Sequence, residues 1–89
     1  MKIIRVTAMW CMSCLTMKKV WKHVLKDITD LELIDYDYDF DSELVKGYNI
    51  GKILPELIVF KNNKEVTRII GECSKKELKK RLEGLDENS

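Results

Sequence analysis

Ile3-Ile4-Arg5-Val6-Thr7-Ala8-Met9-Trp10-Cys11-Met12-Ser13-Cys14 is the stretch on which the reading of this chain turns. Ile3 to Thr7 is a β-branched run and predicts a first strand. Ala8 to Ser13 reads as a turn. Beyond it Met17, Val20, Trp21, Val24, Leu25 and Ile28 recur at the spacing of one helical face, and Lys18, Lys19, Lys22, His23 and Lys26 fill the other side. Cys11 therefore stands where a strand gives way to a helix. There, unpaired backbone N–H groups and the helix dipole favour a thiolate over a thiol. Cys14, three residues on, falls on the same side of the first turn, within reach of a disulfide. One thiolate can attack a substrate disulfide and the second can resolve the mixed disulfide. Exposure at the tip of the turn assigns Cys11 as nucleophile, and Cys14, one turn inside, as resolving thiol.

The rest of the chain builds outward from this unit. Leu31 to Tyr38 predicts a second strand that surfaces in Asp35-Tyr36-Asp37-Tyr38-Asp39. Asp41 or Ser42 is placed to cap a short helix through Leu44, Val45 and Tyr48. Asn49 to Leu54 is a loop leading to Pro55, the single proline. Leu57 to Phe60 and Glu65 to Ile70 flank Lys61-Asn62-Asn63-Lys64, a hairpin whose asparagines tolerate left-handed backbone. Gly71 breaks the strand, and Ser74-Lys75-Lys76-Glu77 is a capping box opening a last helix with Leu78, Leu82 and Leu85 on one face. The right-handed crossover rule makes the first two strands parallel. The expected architecture is an α/β fold with a four-stranded mixed sheet, order 2-1-3-4, flanked by helices on both faces. Its first strand is central, so Cys11 lies at the carboxyl end of an interior strand, where ligands gather in open α/β sheets.

Length and charge narrow the function. The chain has 89 residues, with no linker or internal repeat, and reads as a single domain spanning 1–89, with a polar, frayed end from Asp86 to Ser89. Sixteen basic against fifteen acidic residues leave a net charge of +1, too weak a field to hold nucleic acid or an anionic membrane. The apolar runs are too short for a membrane span. The start lacks the apolar stretch and cleavage site of a signal peptide, so a cytoplasmic location is expected. In a reducing compartment, two cysteines at this spacing point to catalysis or metal binding rather than a structural bridge.

Trp10-Cys11-Met12-Ser13-Cys14 after a hydrophobic strand resembles the active site of the thioredoxin-like family. Leu54-Pro55 followed by Leu57-Ile58-Val59-Phe60-Lys61-Asn62 resembles that family's cis-proline strand and hairpin, and Gly71 with Ser74-Lys75 its closing glycine and helix start. The resemblance covers nearly the whole chain and lacks the extra amino-terminal strand and helix of full-length thioredoxins, giving a glutaredoxin-sized version. It implies a thiol–disulfide oxidoreductase with Cys11 and Cys14 as catalytic pair and no cofactor. It further implies a cis Pro55 against the cysteines, Leu54 offering its backbone to a substrate peptide, and Trp10 in the contact surface. Met12 and Ser13 would tune the pair, Ser13 by donating to a sulfur. Expected partners are a disulfide-containing protein or small molecule and an upstream reductase or dithiol donor; the protein is expected to be a monomer. The chain departs from the family in carrying Arg5 where thioredoxins bury an Asp. It also carries Glu56 after the proline, in the place of the family's frequent Thr and in a position to accept a proton. No glutathione-binding set stands out.

Other readings compete for the same residues. Met9-Trp10-Cys11-Met12-Ser13-Cys14 also resembles the Met-x-Cys-x-x-Cys loop of heavy-metal-associated copper chaperones, and two thiolates with thioethers suit Cu(I). That fold ends in a strand and gives no reason for Pro55. A redox-inert interaction module is the third reading. Cys73 reads as a semi-buried structural cysteine and His23 as solvated. The alternating Asp35, Asp37, Asp39 and Asp41 read as a solvated strand end, since an EF-hand's glycine and terminal glutamate are absent.

Overall fold

The structure is a computed structural model and describes residues 1 to 86. Its elements run β1 (Lys2–Thr7), α1 (Met12–Leu25), β2 (Glu32–Asp37), α2 (Ser42–Gly47), β3 (Glu56–Lys61), β4 (Lys64–Ile70) and α3 (Lys75–Asp86). The sheet order is β2-β1-β3-β4. β1 pairs parallel with β2 and antiparallel with β3, and β3 pairs antiparallel with β4. The expected α/β architecture and strand order are thus met.

Besides one-residue shifts at other element ends, three boundaries differ from the sequence reading. α1 begins at Met12, inside the expected turn, because the Cys11 sulfur itself accepts the Cys14 N–H and starts the helix. It ends at Leu25, so Ile28 follows in a turn, still packed against the core. Asp86 is helical rather than frayed; residues 87–89 lie outside the described residues.

Cross-strand partners share a sheet face, so register sorts the side chains. Arg5, with Asp35 and Leu57 beside it, faces α1, since its guanidinium lies 4.9 Å from the Trp21 ring centroid. α3 is on that same side, with Arg81 donating to Thr67 Oγ1 at 2.9 Å. The opposite face carries Tyr36 and Phe60, on which Tyr48 at the end of α2 packs. Helices thus cover both faces. This is why the neighbours Ile3 and Ile4 on β1 are both wholly buried. Leu57, Ile58 and Val59 on β3 form a second continuous buried run.

Local signals hold the ends. Asn62 and Asn63 take φ of 54° and 64°, the left-handed pair a tight hairpin requires. Gly71 has φ 80°, and its N–H donates to the Pro55 carbonyl at 2.8 Å, pinning the end of β4 to the start of β3. Ser74 Oγ accepts the Glu77 N–H at 3.1 Å, as a helix cap should. Asp41 precedes α2 without capping it; its carboxylate instead accepts the Asp37 N–H at 2.8 Å.

Because Ile58 is sealed between the layers, Ile58→Ala should cost about 2–5 kcal/mol in urea denaturation. Val66→Ala, at a half-exposed edge position, should change stability by no more than about 0.5 kcal/mol. Equal losses for the two variants would contradict this placement of the core.

Candidate active site

The chain leaves the buried end of β1 at Thr7, turns over Met9 and Trp10, and enters α1 at Met12. The Cys11 N–H closes the turn on the Ala8 carbonyl at 3.2 Å. Cys11 is the helix N-cap, with extended backbone (φ −89°, ψ 105°), and its sulfur accepts the Cys14 N–H at 3.1 Å. A residue type that rarely caps helices here takes the place of Ser or Asp. The first turn carries no acidic residue, so the helix's positive end is directed at sulfur without a carboxylate of its own in competition.

Cys11 and Cys14 are joined as a disulfide, with their Cα atoms 5.3 Å apart. Both are buried in this state, at 6% and 4% exposure. Exposure therefore does not separate attacking from resolving thiol, contrary to the sequence argument. Their positions differ: the Cys11 sulfur caps the helix start, whereas Cys14 lies within the first turn. A groove of about 310 Å³ opens on the pair, with Lys18, Trp21 and Asp37 among its walls.

The neighbouring candidates are fixed by specific contacts. Trp10 is largely exposed, with its ring edge-on to Tyr38 at 6.1 Å and its Nε1 donating to Asp39 at 2.7 Å. Met12 is exposed on the rim. Ser13 Oγ does not turn to a sulfur, as expected from sequence; it donates to Glu72 at 2.8 Å. The Leu54–Pro55 peptide bond is cis, and both residues are buried. Ile53 before them is exposed and reaches the neighbourhood of Gly71.

Arg5 and Glu56 have other work than proton transfer. Arg5 chelates Asp35 through Nε and Nη2 at 2.5 and 2.9 Å, a bidentate pair set by their direct cross-strand register. Glu56 is 2% exposed and bonded to Arg68 at 2.8 Å, on the face covered by α2. α1 lies on the other face, so Glu56 is not placed to take a proton from Cys14. The aspartates read as a solvated strand end are each engaged. Asp37 accepts the N–H groups of Asp39 and Phe40, and Asp41 that of Asp37, while Asp35 and Asp39 hold Arg5 and Trp10. Asp39 and Glu72 were invisible as site residues in sequence, because each acts through a partner 29 or 59 positions away.

A profile of the thioredoxin family matches residues 1–84. The chain belongs to that family. Thioredoxin H2-1 of Oryza sativa subsp. japonica is 29% identical over 87 residues, covering 98% of this chain and 62% of its own length. Thioredoxin H5 of the same organism is 26% identical over 69 residues, covering 78% of this chain and 50% of its own. The chain thus spans less than two thirds of the length of these curated relatives. Among solved structures, a thioredoxin from Nicotiana alata superposes with a TM-score of 0.81 at 26% identity, covering 93% of this chain and 70% of that one. A thioredoxin from Trypanosoma brucei brucei gives 0.82 at 23% identity, covering 94% and 73%. Arg5 on β1, where the resemblance leads to the expectation of a buried Asp, is paired with Asp35.

Cys73, outside the pair, is a free, half-buried thiol. Burial pushes its pKa up, Glu77 adds to the rise and Arg81 partly opposes it. In the Cys11→Ser/Cys14→Ser double variant, Cys73 should be alkylated at pH 8 several-fold more slowly than an unstructured peptide thiol, followed by mass spectrometry. A rate equal to that of the peptide would contradict this environment.

Proposed function

We propose that this protein is a thiol–disulfide oxidoreductase that reduces disulfides in proteins or small molecules. The observation that supports this best is the sulfur of Cys11 serving as N-cap of α1, bonded to the N–H and the sulfur of Cys14. In the reduced form, the Cys11 thiolate attacks one sulfur of the substrate disulfide. A mixed disulfide forms and the other substrate sulfur leaves as a thiolate, which takes up a proton. Cys14 then loses its proton and attacks the Cys11 sulfur, closing the internal disulfide and expelling the second substrate thiol. Two electrons pass from the dithiol to the substrate. An upstream reductase or dithiol donor returns them.

In this reading Trp10 and Met12 form the substrate contact surface, the buried Leu54 and Pro55 contribute through their backbone, and Ser13 sits between the two cysteines in sequence. The exposed side chains of Trp10 and Met12 present apolar area to a partner, and Asp39 holds the Trp10 ring in place. The protein acts as a single-domain monomer in the cytoplasm. No helix among the described residues is long and apolar enough to cross a membrane, which accords with this reading.

Insulin reduction by dithiothreitol tests the proposal. The wild type should accelerate it, and Cys11→Ser should return the rate to the uncatalysed background. Cys14→Ser should accumulate a mixed disulfide with substrate through Cys11, visible on a non-reducing gel. A wild-type rate no faster than that of Cys11→Ser would overturn the assignment.

A further inference from the structure

We propose that Glu72 is a positioning residue that makes the Cys11–Cys14 dithiol a stronger reductant, by holding the Ser13 hydroxyl away from sulfur and placing a negative charge at the start of α1. This rests on the oxidoreductase reading above and goes beyond it by naming a residue that sets the direction of exchange.

Ser13 lies between the two cysteines, in the first turn of α1. A serine hydroxyl has one proton to donate. Here that proton goes to Glu72 Oε2 at 2.8 Å. While the bond is made, Ser13 cannot stabilise a thiolate at Cys11. Glu72 belongs to the segment between β4 and α3, which Gly71 anchors to Pro55, so the carboxylate is delivered from a fixed point. No cation among the described residues is ion-paired with it.

The other charges around the pair are few. Lys18 and Asp37 line the groove at the disulfide, Asp39 is held by Trp10, and Arg5 is neutralised by Asp35. α1 has no acidic side chain in its own first turn. Glu72 supplies from outside the anion that the helix lacks, and so competes with the Cys11 thiolate for the same positive helix end. The disulfide carries no charge and does not feel this competition. The dithiol form, in proportion to its thiolate content, does. The equilibrium dithiol plus glutathione disulfide giving protein disulfide plus two glutathiones therefore lies further to the right with Glu72 present.

The test compares wild type with Glu72→Gln, Glu72→Ala, Ser13→Ala and the Ser13→Ala/Glu72→Ala double variant. Two quantities are measured in each: the ionisation of Cys11, from the pH dependence of its alkylation, and the glutathione equilibrium at pH 7. Glu72→Gln keeps an acceptor for Ser13 but removes the charge. It should ionise Cys11 at lower pH and reduce the oxidation equilibrium constant about threefold, as befits one exposed charge interaction. Glu72→Ala also frees the hydroxyl and should exceed that change. In the Ser13→Ala background, Glu72→Ala should revert to the smaller effect of Glu72→Gln. A merely structural tie would alter the melting temperature and leave both redox readouts where they were. If Glu72→Gln and Glu72→Ala superpose on the wild type in both readouts, the inference is overturned while the oxidoreductase reading stands. Failure of the wild type itself to equilibrate with glutathione would remove both.

Discussion

One interaction organises this molecule: the amino end of a helix directed at a sulfur atom. The first N–H groups of α1 have no partners within the helix, and Cys11 supplies one through its side chain. The same unpaired N–H groups that make a helix start costly make a thiolate there inexpensive. Everything else in the fold can be read as support for holding that sulfur still. β1 is buried on both faces and flanked by two strands, so the point from which the turn departs is rigid. Met17, Trp21 and Val24 bury the inner face of α1, which fixes the direction of its axis.

The surroundings of the pair depend on long-range ties more than on local pattern. Trp10 is held by Asp39 from beyond β2, and Ser13 by Glu72 from before α3. Pro55 at the start of β3 is anchored by Gly71 at the end of β4. The first two of these connections, from different parts of the chain, converge on one turn. Such convergence is how a site gains precision on a small scaffold, where few layers of side chains stand behind it. Arg5 adds a contrasting lesson. A cation on the central strand could serve a thiolate only if it were unpaired, and its bidentate pairing with Asp35 commits that charge elsewhere.

What could be read in the sequence was whatever local chemistry dictates. The β-branched run before Trp10, the helical stripe from Met17 to Leu25, the paired asparagines and the Ser74 cap each act through neighbours within a few residues, and each is where it was expected. The sheet order followed from the handedness of one crossover and the shortness of one hairpin. Illegible were contacts decided by how elements lie against one another: Glu72 under Ser13, Asp39 under Trp10, and the face to which Glu56 turns. The exposure argument for Cys11 finds no footing in the bonded pair, where both cysteines lie beneath the surface. The early start of α1 had a local cause, but it required a sulfur to act as a cap, which propensity does not anticipate.

The central claim is that the helix start activates one particular sulfur. Its most direct measurement is the pH dependence of iodoacetamide alkylation at each cysteine of the freshly reduced protein, resolved by peptide mass spectrometry. The account predicts that Cys11 reacts with an apparent pKa below the ordinary thiol value of about 8.5, and faster than Cys14 at neutral pH. Equal rates at the two positions, each following the profile of an unstructured thiol, would contradict it.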